Sequence, residues 1–101
     1  MPTPKDCQSI TEIRNEIDRI DKLIIELLGE RFQYVKEIVN FKSNADDVVA
    51  KSRYHEVFEI RRQWAAEQGI SPLVVEQVYK ILVHYFIDEQ MRILKERNSQ
   101  D

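Results

Sequence analysis

Apolar residues recur along the first forty positions at steps of three and four: Ile13, Ile17, Ile20, Ile24, Leu27, Leu28, Val35 and Ile38. That spacing lines one face of an α-helix and predicts a helix running to about Lys42. Its start is marked by Ser9 with Glu12 three residues later, a capping box in which hydroxyl and carboxylate each satisfy a free N–H group. The segment KSNADD at 42–47 breaks the period and carries an Asn and two Asp, so it reads as a short loop ending in the cap of the next helix. The second predicted helix spans about 48–68, with Tyr54, Val57, Phe58, Trp64 and Ala65 on its apolar positions and Gly69 as its left-handed cap. Ser71-Pro72 restarts the chain, serine as N-cap and proline at the first helical position, where its missing N–H costs nothing. The third helix, about 72–97, places Val75, Val78, Tyr79, Leu82, Tyr85, Phe86 and Leu94 at helical spacing, and the tail RNSQD reads as frayed.

A helix of thirty-odd residues extends roughly 50 Å, whereas a domain of this length has a radius of gyration of about 13 Å. The first helix is therefore expected to overhang its own domain, and its stripe needs a second chain to cover it. Two-fold pairing is the commonest solution, so an intertwined homodimer is expected. Composition agrees: the 101 residues include two Gly and three Pro, too few turn formers for a many-stranded β fold. With 43% hydrophobic and 33% charged residues, they fit a single all-α domain over 1–101. Cys7, the one cysteine, cannot form an internal disulfide, and no Cys/His cluster has metal-ligand spacing, which predicts a metal-free protein of a reducing compartment. The opening MPTPKDCQS has no apolar core of a signal peptide, and no run is long enough to span a bilayer, so a cytoplasmic location with no membrane partner is expected. A net charge of −3 argues against a nucleic-acid partner, since such proteins usually carry a basic surplus on one face.

Three polar residues interrupt the apolar pattern. Arg31 falls seven after Ile24 and four before Val35, inside the first stripe, and Lys42 follows eleven residues on, close to three turns, so both cations would project from nearly one face. Gln90 sits four after Phe86 and four before Leu94. A buried cation needs an anion beside it. For Arg31 that anion is either an internal carboxylate such as Glu30 or Glu59, with snorkelling to water as a variant, or a bound ligand; spacing leaves these open. Gln90, taken singly, reads first as a satisfied buried amide. Arg14 is rotated about 100° from Arg31 and cannot easily serve the same pocket within one chain, though it can serve a partner's. His55 and His84 lack a nucleophile or second ligand at a recognisable spacing and read as structural or surface residues. Trp64, Tyr85 and Phe86 read as packing, and Glu12, Glu16, Asp18 and Asp21 alternate with Arg14, Arg19 and Lys22 as a solvated, ion-paired face.

Several strings resemble one family. The opening PKDCQSITEIRNEIDRIDKLIIELLGER, the FK pair at 41–42 and the closing helix through IDEQ at 87–90 resemble the isochorismate-pyruvate lyases of siderophore salicylate pathways. More broadly, IRxEIDxIDxxIIxLLxER resembles the first helix of the type II (AroQ) chorismate mutases. The likeness covers nearly the whole chain. It implies a three-helix chorismate mutase type II fold, an intertwined homodimer with a long first helix, a small dicarboxylate substrate and no cofactor. By the same resemblance Arg31, Lys42 and Gln90 line the pocket of one subunit, Arg14 enters from the partner subunit, and Arg53 assists substrate binding. The loop between Lys42 and Arg53 would close over the ligand. The implied reaction converts isochorismate to salicylate and pyruvate in one pericyclic step, hydrogen passing to the enolpyruvyl methylene as the C–O bond breaks. Such a step requires no nucleophile, metal or protein base. It requires cationic clamps for two carboxylates, which Arg14 and Arg31 suit through bidentate pairing. It also requires a donor for charge growing on the ether oxygen, for which Lys42, assisted by Gln90, is the candidate.

In the mutases a glutamate directly follows the second-helix arginine and contacts the ring hydroxyl; here Tyr54 follows Arg53, and Glu56 lies two further on. Tyr54 cannot supply a carboxylate, which favours the lyase, with weak chorismate mutase side activity, over a monofunctional chorismate mutase. A third reading is a non-catalytic helical interaction module, in which substituting Lys42 or Gln90 affects stability alone and no dicarboxylate binds.

Overall fold

Helix signals written into the sequence account for most of the element boundaries. The computed structural model describes residues 3–99, and of Val49, Lys51 and Ser52 the backbone alone. A 3-10 turn at Pro4–Asp6 precedes α1 (Ile10–Ile38), a second 3-10 turn at Val39–Phe41 follows it, and α2 (Ala45–Val49), α3 (Lys51–Glu67) and α4 (Pro72–Ser99) complete the chain. The fold is all-α with three long helices, as expected, and α2 is a five-residue addition to them.

At the start of α1 the capping box forms with a one-residue offset: Ser9 Oγ accepts from Glu12 N at 3.1 Å, and the Glu12 carboxylate accepts from Gln8 N at 2.6 Å. The α-helix stops at Ile38, short of Lys42. Beyond it the backbone tightens, Lys42 N donates to Val39 O at 3.0 Å, and Lys42 itself is extended, with φ −110° and ψ 140°. Lys42 is therefore off the helix, and the three-turn spacing that would point it from the face of Arg31 does not apply. The polar segment after it is also shorter than expected. Asn44 Oδ1 accepts from Asp47 N at 3.0 Å and caps α2 at Ala45, where Asp46 and Asp47 in the first turn suit the positive end of the helix dipole. Ala50, left-handed at φ 44°, then breaks the predicted second helix in two.

The end of α3 follows the sequence closely. Gly69 has φ 72°, Gly69 N donates to Ala66 O at 3.1 Å and Ile70 N to Ala65 O at 3.0 Å, the two bonds of a Schellman cap. Ser71 Oγ accepts from Val74 N at 3.3 Å and opens α4. Helix α4 runs to Ser99, so Arg97 and Asn98 are helical and not frayed; Gln100 and Asp101 lie outside the described residues.

The chain divides into two units, Met1–Gln33 and Tyr34–Asp101. In the first, α1 buries no residue, and its stripe of Ile13, Ile17, Ile20 and Ile24 is between 43% and 51% exposed. In the second, α3 and α4 pack antiparallel: Arg62 pairs with Glu76, and eight residues back along α3 and eight forward along α4 Tyr54 Oη meets His84 Nε2 at 2.7 Å. Val57, Phe58, Ala65 and Phe86 are buried in this unit. The 3-10 turn at Val39–Phe41 and helix α2 pack on α4, where Val39, Val48 and Leu94 form a core cluster flanked by Ile87, Met91 and Ile93.

Candidate active site

Within the second unit Lys42 sits in a tightly bonded turn. Its N–H is held by Val39 O, its carbonyl accepts from Arg97 Nη2 at 2.9 Å, and its Nζ donates to Asp47 O at 2.5 Å. Arg97 Nη1 donates to Val39 O, also at 2.9 Å. The Asp47 carboxylate in turn accepts from Ser43 N at 3.0 Å and Ser43 Oγ at 2.9 Å. These bonds hold its pKa below the usual carboxylate value of 3.8, the Ser43 backbone N–H contributing most and the Ser43 hydroxyl next.

Gln90 is 9% exposed on α4, one turn from Phe86 and one from Leu94. Ile87, Gln90, Leu94 and Arg97 fall within about 80° of one another around an ideal helix, so Gln90 shares the face of α4 that receives Val39 and binds Lys42's carbonyl. No hydrogen bond joins its amide to another described residue. Gln90 thus has donor and acceptor capacity to offer a ligand, whereas an internally satisfied amide would not.

Arg53, in the first turn of α3, is exposed and ion-paired with Glu56 at 2.7 Å. Arg14 is exposed and Arg31 half-buried, both in the first unit. His84 is engaged by Tyr54, and His55 lies edge-on to the same ring, consistent with structural roles. Phe86 is buried, while Trp64 is half exposed and covered on one side by the Arg61 guanidinium, 5.1 Å from its ring centroid. Among the described residues no group of three or more His, Cys, Asp or Glu could hold a metal ion, and no helix is long and apolar enough to cross a membrane. Sequence reasoning missed Arg97, assigned to a frayed tail, and the Ser43–Asp47 lock; seven residues after Gln90, Arg97 repeats its face, and that spacing was the available signal.

The fold is all-α, with the Lys42 turn and Gln90 on one face of α4. Residues 13–91 match the chorismate mutase type II family, and the chain belongs to that family. It is 37% identical over 92 residues, 91% of either chain, to a protein named isochorismate pyruvate lyase from Pseudomonas aeruginosa. It is also 42% identical over 53 residues to a bifunctional chorismate mutase/prephenate dehydratase of Aquifex aeolicus, covering 52% of this chain and 15% of that one. A T-protein of Enterobacter agglomerans is 29% identical over 72 residues, covering 70% of this chain and 19% of that protein.

Proposed function

We propose that the protein is an isochorismate-pyruvate lyase, acting as a homodimer in which each chain works as one domain. The observation that carries this reading is Gln90, a polar residue on the α4 face that holds the Lys42 turn, its amide making no hydrogen bond among the described residues. The 37% identity to the Pseudomonas lyase supports the choice of substrate. In the reaction, hydrogen on the ring carbon bearing the hydroxyl passes to the enolpyruvyl methylene while the ring-side ether C–O bond breaks. The ether oxygen becomes the keto oxygen of pyruvate, and the ring becomes aromatic salicylate. Negative charge grows on that oxygen as the bond parts. Lys42 supplies the positive charge that stabilises it, and Gln90 donates a hydrogen bond to the same region. Arg31 of the same chain, Arg14 of the partner chain and Arg53 hold the two carboxylates; Arg53 would exchange its exposed pairing with Glu56 for the ligand. The stripe Ile13, Ile17, Ile20 and Ile24, left about half exposed by one chain, is the surface a second copy would cover.

Chorismate presents the same carboxylates and ether, so a weak conversion to prephenate accompanies the main reaction. A monofunctional chorismate mutase is the second reading. Against it stands Tyr54, whose hydroxyl is engaged by His84 and which offers no carboxylate after Arg53. The test is to supply isochorismate and chorismate separately and to follow salicylate fluorescence and prephenate. Fast salicylate with slow prephenate supports the lyase; prephenate alone would make the protein a mutase.

A further inference from the structure

Arg97 lies beyond residues 13–91 that match the family, yet it makes the longest-range polar contacts described in the second unit: its two terminal nitrogens reach Val39 O and Lys42 O, both at 2.9 Å, across 58 and 55 residues of sequence. The carbonyls at a helix end lack intrahelical donors, and the end of the helix carries partial negative charge, so a guanidinium is well suited to this place. Its planar fork can serve two carbonyls at once, which a lysine ammonium, a point charge on a flexible stem, does less well. The two carbonyls bracket the 3-10 turn from Val39 to Lys42. Val39 is 1% exposed and packed with Leu94 on the same helix that carries Arg97 and Gln90. The first end of the turn is thus fixed by packing and by Arg97. The second end, Lys42, has its N–H on Val39 O and its Nζ on Asp47 O, but its carbonyl is tied to α4 by Arg97.

We propose that Arg97 is a positioning residue for Lys42, its guanidinium fixing the Lys42 backbone to the helix that bears Gln90 so that the ammonium is held in one place. The proposal rests on reading Lys42 as the group that stabilises charge on the ether oxygen. Misplacement of a reacting group by about 1 Å can cost a hundredfold in rate, so Arg97→Ala is expected to lower kcat by about ten- to a hundredfold with KM changed less than about threefold. Arg97→Lys should recover part of the loss. Arg92→Ala, which removes an exposed arginine paired with Glu89 and Glu96 on the same helix, should leave kcat unchanged.

The second arm does not depend on catalysis. Hydrogen exchange of the Lys42 and Ser43 amides in the unliganded wild type, Arg97→Lys and Arg97→Ala should accelerate about tenfold or more in the variants, Arg97→Lys serving alone if Arg97→Ala does not fold. Accelerated exchange together with a fall in kcat per folded molecule upholds the proposal. A lower melting temperature with kcat per folded molecule unchanged, or unchanged exchange in both variants, overturns it. If the wild type makes neither salicylate nor prephenate, the lyase reading fails, and the exchange arm alone decides whether Arg97 fixes Lys42.

Discussion

Replacing Lys42 with alanine separates its two jobs in the proposed lyase. In the free protein the side chain makes one hydrogen bond among the described residues, from Nζ to Asp47 O at 2.5 Å, in a half-buried position. A charge-assisted bond contributes about 1.5–3 kcal/mol when shielded, and solvent screening reduces this to about 1 kcal/mol or less here. Lys42→Ala should therefore lower the melting temperature by only a few degrees, on the order of 4–8 °C at most for a domain of this size. In the transition state the loss is larger. Removing one donor to a developing oxyanion costs about 2.7–4 kcal/mol, which at 1.36 kcal/mol per tenfold is a fall of roughly 10²–10³ in kcat. The assay is salicylate fluorescence at saturating isochorismate, with KM measured in parallel and the folded fraction fixed by circular dichroism. Because charge on the ether oxygen is absent from the bound substrate, KM should move much less than kcat. An unchanged kcat with a raised KM would mean that Lys42 binds the ground state and stabilises nothing further.

Gly69→Ala should lower the melting temperature by about 4–8 °C, because at φ 72° an L-residue costs about 1–2 kcal/mol, offset in part by its less flexible unfolded chain, while open space around the new Cβ adds no clash. Asp47 has a folded pKa below 3.8, so its contribution to stability is complete above about pH 3.8 and is lost as the pH falls through the lowered value; Asp47→Asn should be less stable at neutral pH and lack that acid step in a plot of melting temperature against pH. If Arg14 acts in the partner's pocket, mixing inactive Arg14→Ala and Lys42→Ala chains and letting subunits exchange should restore about a quarter of wild-type activity, since half of the dimers then carry one intact site. No restoration would assign Arg14 to its own chain.

The parts of the fold legible in the sequence were those set by local bonds. Ser9 and Glu12, Gly69, and Ser71-Pro72 each act within five residues, and each terminus they predict is present. What was not legible depended on distant partners. The stop of α1 at Ile38 follows no local breaker; the segment beyond it is shaped by Val39 packing on Leu94 and by Arg97. Ala50 in the left-handed region carries no sequence signal at all, since glycine or asparagine is the usual occupant. Among the candidate site residues the burial of Gln90 was legible because a polar residue in an apolar stripe stands out. Lys42 was singled out by its spacing from Arg31 and given its role by resemblance, but periodicity placed it on the helix, which ends at Ile38. Arg97 shares Gln90's face at a seven-residue spacing, but its partners, the Val39 and Lys42 carbonyls, are tertiary.

The bonding around Lys42 also bears on how it can act. An ammonium fixed by a carboxylate is well oriented, but the partner's charge cancels most of its field. Here the Asp47 carboxylate is taken by the Ser43 N–H and hydroxyl, and Lys42's charge is the smallest influence lowering its pKa. The ammonium is held instead by the Asp47 backbone carbonyl, a dipole with no net charge. One of its three hydrogens serves that bond, leaving two for a ligand. Asp47 thus fixes Lys42 through its main chain while Ser43 occupies its side chain, an arrangement that orients the cation and keeps its field available to the dicarboxylate of the proposed reaction. That division predicts the order of damage: losing the Asp47 carboxylate should loosen the turn, whereas placing a carboxylate within reach of Lys42 Nζ should suppress turnover even with the turn intact.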